Sequence, residues 1–371
     1  MNIFSSVKIV DLTRVFSGPF ATRHFAEFGA QVIKIEPPQG DDSRNFPPLR
    51  GGWSGYFEIL NHNKQSLVLN LKSAPDIQTF YDLCASCDIL VENFSSSVTK
   101  KLGIDYQTIK KMNPTIIYAS ITGISEQVNR KYYDVIAQAE SGIISLNGTT
   151  EDMKISTSVV DAFTGMKLAY AISTALYARE KTGQGCKMSV SMKGSAFDLL
   201  EQNLIETSVT QVNPPKVGNM DSAIAPFGVF KTKDSSIVIA IGTEQQWHIF
   251  EGFLLQHIPT LHTERFQTNQ HRIANYPLLI SEIEQVLQNF TSAEAISLLN
   301  ALSIPCAQVN TMTDVLADQE NYQEQLLQKI NHSTAGPIVV PTGGIFFSNY
   351  TKEKYAEAPL LESTHETQKI P

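Results

Sequence analysis

Residues 156–185 read STSVVDAFTGMKLAYAISTALYAREKTGQG. The first five residues are small or β-branched and show no helical period, whereas residues 163–179 place apolar side chains along one face of a helix. The turn-forming residues from Lys181 to Gly185 end that helix. Asp161 lies where the two patterns meet, so the sequence predicts a carboxylate at a helix N-terminus.

Two roles fit Asp161 on this pattern alone. Aspartate is a favoured N-cap residue, and the helix dipole stabilises a carboxylate at that position. A carboxylate held by its own helix is also suited to nucleophilic catalysis, with small neighbours leaving room for a substrate. Spacing does not separate the two roles, and one side chain can serve both.

Length and composition restrict the class of protein. The 371 residues suffice for two domains, and 29 basic against 37 acidic side chains give a formal charge of −8. This balance argues against nucleic-acid binding, although a few local cations suffice for a polyanionic ligand. The sequence has no apolar run of transmembrane length and begins directly with a strand pattern. We therefore expect a cytoplasmic protein without membrane association.

Cysteine and histidine usage indicates neither a disulfide framework nor a metal site. The chain has four cysteines and eight histidines, and none of them forms a paired metal-binding motif. Cys84 and Cys87 make a lone C-x-x-C within an apolar helix pattern, which favours a buried structural role.

Strand and helix patterns alternate over the first 210 residues. Val7–Leu12 and Gln31–Glu36 are strand patterns, and a helix pattern beginning near Pro19 lies between them. Such alternation predicts a parallel, doubly wound α/β domain. The dinucleotide fingerprint G-x-G-x-x-G is absent. Residues 211–224 are polar and turn-rich like a linker, and residues 225–303 show the pattern of a small α+β domain.

Several segments resemble the family III CoA-transferases, a family that includes formyl-CoA and carnitine CoA-transferases and the α-methylacyl-CoA racemases. The resemblance spans nearly the whole chain and is carried by residues 11–44 (DLTRVFSGPFATRHFAEFGAQVIKIEPPQGDDSR), 61–66 (NHNKQS), 92–104 (ENFSSSVTKKLGI), 131–142 (KYYDVIAQAESG) and 159–185. It implies a Rossmann-like large domain, residues 1–210 and 304–371, discontinuous because the small domain is inserted. It also implies an interlocked homodimer.

The resemblance assigns roles to residues. Asp161 matches the nucleophile of the transferases and Tyr133 an active-site tyrosine, although Tyr133 also suits an amphipathic core position. Val15, Lys101 and Lys131 match positions near CoA. Lys101 stands where formyl-CoA transferase has arginine, so its phosphate contact would lack a bidentate fork.

Three further positions are less decided. Arg44 ends the N-terminal motif, where ligand contact and structural pairing fit equally. Lys64 fits either a phosphate contact or a solvated loop. Phe16 replaces an active-site glutamine of formyl-CoA transferase, which suggests a more apolar acyl pocket and puts oxalate or formate specificity in doubt. The glycine-rich loop that closes over the intermediate in that enzyme is also missing.

The activity implied by the resemblance is transfer of CoA from an acyl-CoA to a carboxylic acid. The route runs through an aspartyl anhydride and an aspartyl-CoA thioester, with no cofactor beyond CoA as substrate. Two alternatives stay open: an acyl-CoA racemase of the same family, which needs an acid and a base on opposite faces of the α-carbon, and a CoA-binding protein without turnover.

Overall fold

The computed structural model describes residues 2–261 and 263–361. Within these ranges the chain forms two compact units. Unit 1 contains residues 2–143, 155–201 and 322–361, and unit 2 contains residues 144–154 and 202–321 apart from residue 262.

The strands are, in chain order, β1 (Lys8–Asp11), β2 (Gln31–Glu36), β3 (Leu49–Arg50), β4 (Trp53–Ser54), β5 (Gln65–Val68), β6 (Ile89–Glu92), β7 (Ile117–Thr122), β8 (Cys186–Ser191), β9 (Phe227–Lys231), β10 (Ser236–Ala240), β11 (Cys306–Gln308), β12 (Leu327–His332) and β13 (Gly336–Pro341). The α-helices are, in the same order, α1 (Ser17–Glu27), α2 (Gly55–Asn61), α3 (Ala74–Ser86), α4 (Ser96–Leu102), α5 (Tyr106–Met112), α6 (Asp134–Ser141), α7 (Ile143–Leu146), α8 (Val159–Thr182), α9 (Met192–Asp198), α10 (Glu201–Thr210), α11 (Glu244–His257), α12 (Asn269–Ala274), α13 (Tyr276–Leu287), α14 (Ser292–Ala301), α15 (Met312–Ala317) and α16 (Glu320–Gln323).

A parallel sheet with the order β5-β2-β1-β6-β7-β8 forms the centre of unit 1. Counted along the chain, these strands follow the order 3-2-1-4-5-6 of Rossmann folds. Lys8 pairs with Gln31 on one side of β1, and Ile9 pairs with Ile89 on the other. The prediction of a parallel α/β domain is confirmed, and the fold is Rossmann-like.

Both faces of this sheet are buried at its central strands. Val10 and Leu90 lie in one apolar cluster with Phe80 of α3. Ile9 and Val91 alternate with them along the strands, so they point to the opposite face, and they are equally buried. Helix α1 contacts β1, β2 and β6, and α8 contacts β7 and β8. Burial on both faces explains why these strands are nearly continuous apolar runs in the sequence.

The direction of chain crossover reverses between β1 and β6. From β1 the chain moves to β2 and β5 on one side, and from β6 it moves to β7 and β8 on the other. In open parallel sheets, ligands bind outside the carboxyl ends of the strands at such a point. The loops that follow β1 and β6 therefore mark the expected site.

Unit 2 contains an antiparallel sheet with the order β11-β10-β9. Its apolar core combines side chains from β9 and β10 with others from the helices, among them Phe230, Ile239, Trp247, Phe250, Leu279 and Leu299.

The compact units differ from the predicted domains. Residues 144–154, 202–210 and 304–321 belong to unit 2, although the sequence predicts them in the large domain, and Cys306 of β11 pairs with Ile239 in the sheet of unit 2. The predicted linker 211–224 lies within unit 2, where Gly218 N donates to Gly148 O at 3.0 Å. The sequence shows the strand patterns, but it does not show which sheet a short edge strand joins.

Among the described residues, no helix combines the length and apolarity needed to span a bilayer. The same residues contain no cluster of three or more His, Cys, Asp or Glu side chains placed to hold a metal ion.

Candidate active site

Asp161 lies in the first turn of α8 and follows the N-cap residue, Ser158, in the sequence. Its carboxylate accepts a hydrogen bond from Ser17 Oγ of α1. Asp134 Oδ1 accepts hydrogen bonds from the N–H groups of Val160 at 2.8 Å and Asp161 at 3.1 Å. Asp134 thus fills the capping role that the sequence allowed for Asp161, and the Asp161 side chain faces Ser17.

Close packing of α1 on α8 brings two helix N-termini together at Asp161. Gly165 lies one turn along α8, and a Cβ atom built there would be 2.6 Å from the carbonyl oxygen of Ser17. No other residue type fits that gap without moving a backbone. The positive ends of both helix dipoles therefore act on the same carboxylate.

Burial, the hydrogen bond from Ser17 and the charge of Asp134 together set the pKa of Asp161 at about 6, above its ordinary value. Burial is the largest cause and raises this pKa, the hydrogen bond from Ser17 lowers it, and the negative charge of Asp134 raises it. Asp161 is therefore mostly ionised at neutral pH, yet its carboxylate is less well solvated than one on the surface. Such a carboxylate is more basic than an ordinary aspartate and is suited to attack an electrophile.

A cavity of about 990 Å³ opens at the carboxyl ends of β1, β6 and β7 and includes Asp161. This volume lies within the range of ligand-binding clefts. Its lining carries five cationic side chains, Arg14, Lys100, Arg130, Lys131 and Lys187, and five acidic ones, Asp42, Glu92, Asp105, Glu126 and Asp161. Three of the cations form ion pairs, Arg14 with Asp42, Arg130 with Glu140 and Lys187 with Glu126. Lys100 and Lys131 have no ion pair among the described residues, and together with the hydroxyl groups at the start of α4 they suit an anionic group of a ligand.

The loop between β1 and α1 is held in an unusual conformation at the edge of the cavity. Val15 has a φ of 69°, which is rare for a β-branched residue. Its N–H points to Asp41 Oδ1 at 3.3 Å. Asn93, after β6, accepts from Arg14 N at 3.1 Å and donates to Arg14 O at 2.9 Å. Strain of this kind persists where neighbouring groups fix the backbone, and it is concentrated at functional sites.

The sequence and structure comparisons agree with one another. Residues 4–365 match the sequence model of CoA-transferase family III. The chain belongs to this family. Succinyl-CoA:glutarate CoA-transferase of Mus musculus is 32% identical over 97% of this chain and 84% of its own length. Acetyl-CoA:oxalate CoA-transferase of Acetobacter aceti is 34% identical over 94% of this chain and 90% of its own length.

Solved structures are similar over the same extent. A CAIB/BAIF family protein from Brucella suis is 29% identical, covers 97% of this chain and 96% of its own, and has a TM-score of 0.86. Rv3272 of Mycobacterium tuberculosis is 24% identical, covers 97% of both chains with a TM-score of 0.84, and supports the fold alone.

The structure of this family III chain brings five predicted site residues into one cavity: Val15, Phe16, Lys131, Tyr133 and Asp161. Tyr133 directly precedes α6, and 59% of its surface is exposed, so it is not a core tyrosine. Phe16 stacks on Phe20, with ring centroids 5.6 Å apart, and meets the edge of Tyr56 at 5.9 Å. These rings form an apolar wall beside Ser17.

Lys64 lies away from the cavity and is held inside the protein. Its Nζ contacts Asp11 Oδ2 at 3.1 Å, Pro19 O at 2.9 Å and Asn61 Oδ1 at 3.0 Å. Burial lowers the pKa of Lys64 to about 8, against the opposing effect of Asp11. Since all three of its donors have acceptors, Lys64 links β1, α1 and α2, and the phosphate contact suggested for it is not supported.

Arg44 also pairs within the protein. Its guanidinium forms two hydrogen bonds with Glu36, at 2.8 and 2.6 Å, and a third with Pro359 O at 3.0 Å. It also stacks over the Phe57 ring, 3.8 Å from the centroid. Of the two roles that the sequence left open, the structure shows the structural pairing.

The basic residues of α4 differ in their placement. Lys101 was the predicted CoA contact, but the side chain that lines the cavity from α4 is Lys100. Lys101 lies next to it and is exposed. A role for Lys101 at CoA stays a prediction, which a comparison of the two lysines tests.

Ser17 and Asp134 are the site residues that sequence reasoning missed. Both lie within segments that resemble the family, residues 11–44 and 131–142. Short polar residues at the start of a helix are, however, usually N-caps. Their contact with Asp161 depends on how α1 and α6 pack against α8, over sequence separations of 144 and 27 residues. The sequence position of Asp134 offers one signal, because this acid is the first residue of α6 and no side chain caps that helix.

Proposed function

We propose that this protein transfers CoA from an acyl-CoA thioester to a carboxylic acid through covalent intermediates on Asp161. The observation that carries the proposal is a partly buried carboxylate, its pKa raised to about 6, inside a large cavity of a family III chain that also presents Lys100 and Lys131.

The first half of the cycle loads CoA onto the enzyme. A carboxylate oxygen of Asp161 attacks the thioester carbonyl carbon, the C–S bond breaks, and CoA leaves as the thiolate, which gives a mixed anhydride. The thiolate then attacks the Asp161 carbonyl carbon of the anhydride. The donor acid leaves as its carboxylate, and Asp161 becomes an aspartyl-CoA thioester.

The second half repeats these steps with the acceptor. Its carboxylate attacks the aspartyl thioester and releases the CoA thiolate, and the thiolate then attacks the acceptor carbonyl of the new anhydride. The products are the acceptor-CoA and the Asp161 carboxylate. Each step exchanges one activated acyl bond for another, so CoA is needed only as a substrate.

Helix α1 supplies groups suited to the oxyanions of these steps. The first N–H groups of a helix have no acceptor within the helix. In α1 these belong to Ser17 and Gly18, and Ser17 already contacts Asp161. N–H groups fixed in a water-poor cleft stabilise a developing oxyanion without reorganisation.

The names of the relatives favour short dicarboxylic acids as substrates. They pair succinyl-CoA with glutarate, acetyl-CoA with oxalate, and succinyl-CoA with mesaconate. We propose succinyl-CoA as donor and glutarate, oxalate and mesaconate as the first acceptors to compare.

The proposed assembly is a homodimer. Met166, Tyr170 and Tyr177 are 41%, 76% and 68% exposed along α8. Exposed aromatic surface on a long helix is typical of a face that a second protein surface covers. Light scattering that finds a folded monomer at micromolar concentration would contradict the dimer.

Transfer of label tests the proposed activity. Incubation of the protein with succinyl-CoA and ¹⁴C-labelled acceptor acid should give labelled acceptor-CoA, and hydroxylamine should trap Asp161 as a hydroxamate only after acyl-CoA is added. Asp161→Asn should lower turnover by at least about 10³-fold. The matched control is Asp198→Asn, which removes an exposed carboxylate paired with Lys167 and should be active. Normal turnover by Asp161→Asn would refute the covalent route.

A further inference from the structure

Asp134 joins the first turn of α6 to the first turn of α8. Its Oδ1 accepts the N–H of Val160 at 2.8 Å and that of Asp161 at 3.1 Å, and its Oδ2 accepts from Gln138 Nε2 at 2.6 Å. The residue is only 9% exposed. The capping carboxylate of α8 therefore comes from another helix, while the N-cap residue Ser158 makes no side-chain capping bond.

Gln138 extends this contact to the chain that enters α8. Its Oε1 accepts the N–H of Ile155 at 2.9 Å, and its Nε2 lies 3.3 Å from Ile155 O. Gln138 is fully buried. The segment from Ile155 to Asp161 is thus fixed at its first residue by Gln138 and at its last two by Asp134, and both side chains belong to α6.

We propose that Asp134 is a positioning residue for Asp161: it fixes the backbone that carries the nucleophile and keeps a negative charge beside it. This inference rests on the proposed function of Asp161. Hydrogen bonds from N–H groups to a carboxylate are stronger than those to a neutral oxygen, so the contact holds the start of α8 firmly. Misplacement of a reacting group by about 1 Å can cost about 100-fold in rate.

The charge of Asp134 also acts on the ionisation of Asp161. Polar groups from three elements act on Asp161 or respond to its charge: Ser17 from α1, Asp134 from α6 and Tyr56 from α2. Ser17 favours the carboxylate and Asp134 opposes it. Burial and nearby carboxylates, Asp161 among them, raise the pKa of Tyr56 to about 12, so this phenol stays neutral. Asp134 is therefore the charged neighbour that makes Asp161 more basic.

Three variants of the full-length protein separate the two effects. Asp134→Asn retains an oxygen that accepts from Val160 and Asp161 but removes the charge, whereas Asp134→Ala removes both. Gln138→Leu removes the contacts with Ile155 and with Asp134 Oδ2 but leaves the charge of Asp134 in place. The first readout is deuterium exchange of the peptide that contains Val160 and Asp161, followed by mass spectrometry without any substrate. The second is the single-turnover rate of acylation by succinyl-CoA from pH 5 to 8.

Exchange at Val160 and Asp161 should be fastest in Asp134→Ala and intermediate in Asp134→Asn. The acylation rate at pH 8 should fall about 100-fold in Asp134→Ala and clearly less in Asp134→Asn. The pH midpoint of acylation should move down in both Asp134 variants. In Gln138→Leu the acylation rate should fall while its pH midpoint stays unchanged. The proposal would be overturned if Asp134→Ala exchanged deuterium at the wild-type rate and kept the wild-type pH midpoint of acylation. Because exchange needs no turnover, this result is separable from a failure of the proposed function.

Discussion

Ser17 Oγ donates a hydrogen bond to Asp161 Oδ1 and thereby links the first turns of α1 and α8. This hydroxyl is the group that offsets, in part, the effect of burial on the Asp161 carboxylate. When Asp161 is acylated, its negative charge disappears, so the hydroxyl is released from its strongest acceptor. The same serine thus influences both the ionisation of the free enzyme and the environment of the acylated one.

Ser17→Ala should move the pH midpoint of acylation upward. The hydrogen bond lowers the pKa of Asp161, so its removal leaves that pKa above about 6. Acylation needs the carboxylate, and the variant should therefore lose rate at pH 6 while staying within severalfold of wild type at pH 8. Single-turnover rates over this range provide the measurement. A downward shift of the midpoint would contradict the assigned direction of the hydrogen bond.

Asp161→Asn should stabilise the fold at neutral pH. The pKa of Asp161 is about 6 when folded, above the ordinary 3.8, so the folded state binds more protons between these values. The ionised carboxylate therefore costs stability above pH 6, by up to about 3 kcal/mol, and the cost disappears as the pH falls toward 3.8. Melting temperatures at pH 7.5 and pH 4 test this. The variant should melt higher than wild type at pH 7.5, and the difference should shrink at pH 4. A variant that is less stable at both pH values would show that the carboxylate is not strained by burial.

Gly165→Ala should destabilise the protein and impair Asp161 at the same time. The new Cβ would lie 2.6 Å from Ser17 O, which is backbone and cannot turn away, so α1 and α8 must separate. Overpacking of this kind costs about 1–3 kcal/mol. The matched control is Gly252→Ala in α11, where the Cβ meets nothing within 4 Å. That change should be neutral or stabilising by up to about 1 kcal/mol. Equal melting temperatures of the two variants would exclude the proposed close packing.

Much of the fold was predictable, because strands that are buried on both faces appear in the sequence as nearly continuous apolar runs. The apolar strands from Val10 to Ile121 and the helix after Asp161 follow from periodicity. The short edge strand at Cys306 did not, because edge pairing depends on contacts far apart in the chain. The interlocked arrangement of two chains stays a prediction.

The site was predictable in its residue types and less so in its contacts. Resemblance directed attention to Asp161, Tyr133 and Lys131, which do share a cavity. It also pointed to Lys64, whose partners are acceptors inside the protein. A lysine within a motif can face either the protein interior or a ligand, and the sequence does not distinguish the two. The cap of α8 came from Asp134, which only the packing of α6 reveals.

Lys100→Ala and Lys131→Ala should each weaken acyl-CoA binding modestly. Both exposed side chains line the cavity, and an exposed charge pair is worth about 1 kcal/mol or less, or up to fivefold in Kd. Turnover at saturating acyl-CoA should be nearly unchanged, since neither side chain contacts Asp161.

Lys101→Ala is the discriminating variant. An effect equal to that of Lys100→Ala would support its predicted contact with CoA, and wild-type affinity would assign that contact to Lys100. Binding is measured by titration calorimetry at low and high salt, where the differences should shrink with salt.

The protein should transfer CoA without exchanging the α-hydrogen of its acyl-CoA substrates. A racemase needs a general base at the α-carbon. In the racemases of this family, the position of Tyr133 resembles a histidine, the side chain that most often acts as a general base. The hydroxyl of Tyr133 is instead suited to donate a hydrogen bond to a carboxylate or acyl oxygen. Incubation of a 2-methylacyl-CoA in deuterated water should therefore show no α-deuteration, while label passes from acyl-CoA to an added dicarboxylic acid. Tyr133→Phe should retain part of the transfer activity. Rapid α-deuteration by the wild type, without CoA transfer to any acid, would identify a racemase instead.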